Sequence, residues 1–173
     1  MNSVTTESTT VMSAFWHESV SSRIPGALLV LVRLVLGPMF IGTGSYWMGA
    51  EDATLEMSSQ ISGVLESGRT AGWYAPFLEG WVLPNIGLFA FLVTWGEFLT
   101  GVSITFGAAT RFGAAVGIFL ATNYAFLYGN TFFPAGGNWI YVWYLTVLLL
   151  GAGGRSFGVD TYLARRWPRC PLW

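Results

Sequence analysis

Gly26-Ala-Leu-Leu-Val-Leu-Val-Arg33-Leu-Val-Leu-Gly37-Pro-Met-Phe40-Ile-Gly-Thr-Gly44-Ser-Tyr-Trp-Met48 is an apolar run with a single charge inside it. A second run, from Ile86 to Phe106, encloses Glu97. A charged side chain at mid-bilayer costs at least about 2.5 to 3.5 kcal/mol on insertion scales, so two such residues of opposite sign are expected to pair or to serve a function. The argument needs the runs to be membrane spans, and composition supports that. Of 173 residues, 53% are hydrophobic, 17% aromatic and only 10% charged, where a soluble domain carries about a quarter charged residues.

Working outward, two further apolar stretches follow, Phe112 to Tyr128 and Trp139 to Ala152. Crossing a hydrocarbon core of about 30 Å takes about 20 residues, so these two must borrow flanking residues. The fold class expected is all-α, an integral membrane four-helix bundle with spans at about 26–48, 86–107, 111–129 and 138–153. The chain has no lysine, and its arginines set the orientation. Arg23, Arg111, Arg155, Arg165, Arg166 and Arg169 fall on one side of a four-span arrangement and Arg69 on the other. The positive-inside rule then makes both termini cytoplasmic and the long loop 49–84 external, as in a multi-pass protein of the cell membrane.

Three regions result: a polar N-terminal tail over 1–24, the transmembrane domain over 25–154 and a basic cytoplasmic tail over 155–173. Met1 to Ser22 is rich in Ser and Thr and has no basic n-region, so Gly26 to Met48 is expected to be a retained span, not a removed signal. Arg165, Arg166 and Arg169 suit anionic lipid. A net charge of -1 makes no case for nucleic acid. The partners expected are the lipid bilayer and other membrane subunits. With one cysteine, Cys170, and one histidine, His17, no disulfide, haem or metal centre is expected within the chain.

In the second span Gly87, Ala90, Thr94, Glu97, Gly101 and Thr105 recur at spacings of three and four, a stripe that points Glu97 into the bundle. Gly26, Arg33, Gly37 and Gly44 make a comparable stripe in the first. At about 1.5 Å per residue from the cytoplasmic ends, Arg33, Glu97, Asn123 and Tyr144 all fall roughly 14 to 18 Å deep. These four are therefore expected to form one buried polar cluster around an Arg33–Glu97 pair. Two readings of the cluster stand: an ion pair that keeps the bundle in register, or a site that binds a quinone head group or passes protons.

Arg111 reads as a boundary anchor at the start of the third span, and Gly113 and Gly117 as a packing GxxxG. In the outer loop, Leu55, Met57, Ile61, Val64 and Leu65 share one face of a helix over Thr54 to Ser67, suited to the membrane surface. Trp73, Tyr74 and Trp81 suit the headgroup level, or a lid over a ligand site with Glu79 as a polar contact. Pro84 fits the turn before the second span, and Asn138 is placed to cap the fourth helix.

Several short motifs, in order, resemble the DoxX and DoxD-like membrane proteins. They are Leu-Val-Arg33-Leu-Val-Leu-Gly37-Pro-Met-Phe40-Ile-Gly-Thr-Gly44, Trp73-Tyr74 to Leu78-Glu79, Leu83-Pro84-Asn85, Glu97-Phe-Leu-Thr-Gly101, Gly107-Ala-Ala-Thr110-Arg111, Asn123-Tyr124 and Gly154-Arg155-Ser-Phe-Gly158-Val-Asp160. The resemblance runs from Gly26 to about Leu163. It implies a four-helix subunit related to thiosulfate:quinone oxidoreductases, with quinone as cofactor and Arg33, Glu97, Arg111 and Asn123 at the recurring polar places. One departure is Trp47, where many relatives carry a lysine soon after the glycine; its absence removes a candidate for binding an anionic sulfur substrate.

Two functions from different classes follow. The chain is expected to be a quinone-binding membrane subunit of an oxidoreductase, with Arg33, Glu97, Asn123, Tyr144 and Arg111 as site residues. The alternative is a non-catalytic accessory subunit packed against a larger respiratory, photosynthetic or transport complex.

Overall fold

Helix α1, Gly26–Gly49, forms because its run lacks any strong breaker except Pro38. The computed structural model describes residues 26–130, 132, 136–151, 154, 157–167 and 170. The expectations for the tail 1–24, His17, Arg23, Arg155 and Arg169 lie outside the described residues. Among the described residues the chain is all-helical, with no strand.

After α1, the Asp52 carboxylate accepts from the Leu55 amide at 2.9 Å and starts α2, Ala53–Glu66. The expected outer loop is thus largely helical. The helical path resumes at Ala75 and passes through a π turn at Leu78–Val82 and a 3-10 turn at Leu83–Asn85 into α3, Ile86–Phe106. Pro76 and Pro84 each lack an amide hydrogen, and the altered turns are where the regular ladder gives way. The second helical segment therefore starts well before the expected residue 86. Then come α4, Thr110–Leu127, α5, Trp139–Leu150, and the short α6, Asp160–Arg166.

Two helical segments, Leu28–Gly49 and Ala75–Phe106, are long and apolar enough to cross a membrane. The helices α1, α3, α4 and α5 run alternately up and down, and the closest-packed pair is α1 with α3. Their contact is backbone to backbone. A Cβ on Gly37 would stand 2.8 Å from the Thr105 nitrogen, and one on Gly44 would stand 2.6 Å from the Phe98 nitrogen. From the other side, a Cβ on Gly101 would stand 2.7 Å from the Gly37 carbonyl oxygen. Gly37 and Gly44 of the first stripe and Gly101 and Thr105 of the second thus lie in the seam, where helices approach closely without large side chains between them, whereas Gly87 of the second stripe is exposed. Helix α4 is held to α5 and α3: Gly117 lies against Leu145 and Thr100, and Gly113 against Ser103.

The bundle is apolar outside as well as inside. Leu31, Leu34 and Val35 of α1, Leu88, Phe91 and Leu99 of α3 and Phe112 of α4 are all exposed. Helix α2 turns Met57, Ile61 and Val64 inward against Trp47, Leu78 and Leu127. Its apolar face therefore lies on the protein, not on a membrane surface, and only Leu55 of the expected face is strongly exposed.

The other end of the bundle is closed by a latch around the turn between α3 and α4. Gly107 takes φ +66 and Ala109 φ 51 to reverse the chain. Arg33 donates from Nε to the Ile104 carbonyl at 2.8 Å and from Nη2 to the Thr105 carbonyl at 3.0 Å, at the C-terminus of α3. Asp160 accepts from the Ala109 amide at 2.6 Å and the Thr110 amide at 2.9 Å, at the N-terminus of α4. Each charge sits where the helix dipole favours it, cation at the C-terminus and anion at the N-terminus. Gly154, Gly158 and Gly107 leave room for it, since a Cβ on any of them would collide with Asp160, a carbonyl or the Arg33 guanidinium.

Asn138 does not cap α5 with its side chain. Its Nδ2 instead donates to Asn130 Oδ1 at 3.2 Å, and its backbone amide donates to the same oxygen at 2.9 Å.

Removing the Asp160 carboxylate strands two amides at a buried helix start. Asp160→Ala is expected to destabilise the protein by about 2 kcal/mol or more, and Asp160→Asn by less, since one acceptor remains. Thermal unfolding in detergent micelles checks the order; equal melting temperatures for Asp160→Ala and the unaltered protein would contradict the latch.

Candidate functional site

The four residues expected at one level do not meet. Glu97 is buried on α3 and takes Tyr124 and Thr43 as hydrogen-bond partners. Arg33 is engaged at the latch, with carbonyls that begin seven residues beyond Glu97, about 10 Å along the helix. The register of the seam separates them: Gly37 lies against Thr105 and Gly44 against Phe98, so Glu97 is level with Gly44, about 16 Å along α1 from Arg33, and side chains that lean toward the N-termini of antiparallel helices widen that gap. Tyr144 is exposed on the outside of α5, while the next residue, Leu145, is fully buried. One residue of helical rotation separates the inside of α5 from its outside. Arg111 sits half-buried in the first turn of α4, beside the latch.

Glu97 belongs to a chain of polar groups that includes three residues not expected there. The Trp47 indole, a donor only, reaches the Tyr124 hydroxyl, and Tyr124 in turn donates to Glu97. The Thr43 hydroxyl lies 3.1 Å from the Phe40 carbonyl and also contacts Glu97. The Glu97 Oε2 atom is buried without a partner.

Tyr124 and Trp47 line a cavity of about 520 Å³ between α3 and α4, beneath α2 and the helical turns that precede α3. Along α4 the lining extends from Val116 to Leu127, and along α3 from Phe89 to Leu99. At 1.5 Å per residue the cavity is about 15 Å long, parallel to the helices. Its two ends differ. Gln60, Tyr74, Asn123 and Tyr124 lie at the end covered by α2, and Trp95, Gly96, Leu99 and Val116 at the other. No charged side chain is among those that line it.

The polar end is organised. Tyr74 donates to Asn123 Oδ1 at 2.6 Å, and Asn123 Nδ2 donates to the Phe119 carbonyl at 2.7 Å. An amide nitrogen has two hydrogens, so Asn123 keeps one for a ligand. Gln60 presents an exposed amide at the rim. The Tyr74 ring is fixed by Phe77 at 5.4 Å and Phe126 at 5.7 Å. The loop between the first two long helices thus places an aromatic over the cavity, while Glu79 is not among the lining residues.

Of the five residues expected at a site, Asn123 lines the cavity and Glu97 stands one hydrogen bond behind it. Arg33 and Arg111 are at the opposite end of the bundle and Tyr144 is outside. The neighbour Tyr124 was within reach of the same depth argument as Asn123; Trp47, Tyr74 and Gln60 come from the α1 end and the outer segment, which no periodicity aligns with α4. No family model, curated protein or solved structure matches the chain.

Burial pushes the Tyr74 phenol from 10.0 up to about 12. The folded value lies above the unfolded one, so the stability contributed by Tyr74 is complete below about pH 10 and is lost as pH rises toward 12. Phenolate absorbance is expected to show a step near pH 12 that Tyr74→Phe removes. A Tyr74 step at about pH 10 would show that this hydroxyl is not enclosed.

Proposed function

We propose that the chain is a multi-pass membrane protein of the DoxX and DoxD-like type, a four-helix bundle with both termini cytoplasmic. Its function in this reading is to bind a quinone as a membrane subunit of an oxidoreductase. The exterior supports the membrane reading: large apolar side chains cover the outside of α1, α3 and α4 while small and polar ones lie between them. The arginines Arg111, Arg165 and Arg166, at the latch end, support the orientation. The resemblance gains support from Arg33, Gly107, Gly154, Gly158 and Asp160, distant motif residues that meet in the latch.

The observation that carries the quinone reading is the cavity, elongated along the helices, lined by no charged side chain, and polar at the end covered by α2. A neutral head with a single apolar tail fits that distribution, and quinone carbonyls need donors. Asn123 Nδ2 and the Gln60 amide supply them, and Tyr74 orients Asn123. Bound there, a quinone supplies an electron acceptor inside the membrane. The residues of the chain bind and orient it, and the cover formed by the rings of Tyr74 and Phe77 with Leu78 excludes water from the head-group end.

Protein purified in mild detergent is expected to retain a quinone in stoichiometric amount. Asn123→Leu removes one head-group donor and is expected to weaken decylubiquinone binding about tenfold, the equivalent of one hydrogen bond. Quenching of tryptophan fluorescence reads the affinity. Absence of any retained or added quinone, in a protein that melts cooperatively, would exclude the reading.

A further inference from the structure

The cavity has a side that the protein does not wall off. Phe91, Leu92, Trp95 and Leu99 of α3 and Phe119 of α4 line it and are also exposed on the outer surface of the bundle. The covered end is different: Met57, Ile61, Tyr74, Leu78 and Val82 are buried together there. The close packing of α3 is spent on α1, and its contact with α4 is looser.

Within the open side, Gly96 faces Leu120. A Cβ at position 96 would stand 3.4 Å from Leu120 Cδ1, at ordinary contact distance, so a methyl group fits and a longer side chain would occupy the gap. Leu120 is buried and reaches across from α4. The absence of a side chain at position 96 leaves the space between α3 and Leu120 of α4 unfilled at this end of the cavity.

We infer that the ligand enters and leaves sideways between α3 and α4, with Gly96 as the threshold and Leu120 as the bar across it. The occupant is a neutral-headed lipophile with a single chain, drawn from the apolar phase around the bundle, its head ending at Asn123 and Gln60 and its tail lying past Gly96. This rests on the cavity being the ligand site proposed above. The route is independent of the head group's identity, because it depends on the gap and not on the donors.

The experiment uses the full chain in vesicles and follows tryptophan quenching after decylubiquinone is mixed in. Gly96→Leu fills the threshold and is expected to slow association about tenfold or more, since binding must now wait for the helices to part. Gly96→Ala, which fits, is expected to leave the rate near that of the unaltered protein. Leu120→Ala removes the bar and is expected to speed both association and release, an effect that damage to the fold does not produce. Should Gly96→Leu fail to fold, Leu120→Trp narrows the same gap from α4 and carries the same expectation. Unchanged rates in Gly96→Leu or Leu120→Trp and in Leu120→Ala, with binding intact, would overturn the lateral route alone. Failure of the unaltered protein to bind would overturn the site and the route together.

Discussion

Three glycines, Gly37, Gly44 and Gly101, let α1 and α3 touch backbone to backbone, and the remaining packing is arranged around that seam. A seam of this kind needs no large side chains, so these helices can turn theirs outward. It also uses up the face of α3 that is rich in small residues. The opposite face, carrying Phe91, Trp95 and Leu99, meets α4 only in part, and a cavity of about 520 Å³ remains between them. Tight packing on one side of α3 and a space on the other are thus one arrangement seen from two directions.

Much of the helical framework was legible in the chain. Gly37 and Gly44 of one small-residue stripe meet the helix that carries Gly101 and Thr105 of the other, because spacings of three and four report the angular position of a residue on a helix directly. Gly117 packs on Leu145 and Thr100, in keeping with its place in a GxxxG. Pairing across helices was harder. Counting residues from the span ends placed Arg33 and Glu97 at one depth, yet the seam sets Gly37 on Thr105 and Gly44 on Phe98, which puts the two charges at different levels, and Arg33 meets carbonyl acceptors at the end of α3. Tyr144 shows the second difficulty, since an apolar helix with a polar residue has no sequence signal for which side faces a partner.

The candidate site was legible only in its α4 portion. Asn123 and Tyr124 share a turn, but Gln60, Tyr74 and Trp47 come from separate elements whose meeting depends on how α2 folds over the end of the bundle. The same outer segment looked like an aromatic belt or a lid from its residues alone. Its Tyr74 hydroxyl is committed to Asn123, which makes it part of the cavity wall. Burying two large charges at different ends also divides the molecule: Glu97 belongs to the polar chain through Tyr124 and Trp47, whereas Arg33 belongs to the latch.

The latch also bears on the order in which the chain can become complete. Helix α4 begins at Thr110, but the carboxylate that satisfies its first amides belongs to Asp160, fifty residues later. During synthesis from the N-terminus, α1 and α3 can close their seam while α4 still lacks its cap. Only when the segment from Gly154 to Asp160 has emerged and folded back can the start of α4 be sealed. A part of the chain made later therefore secures a helix made much earlier, and the bundle remains open to rearrangement at α4 until Asp160 has been made.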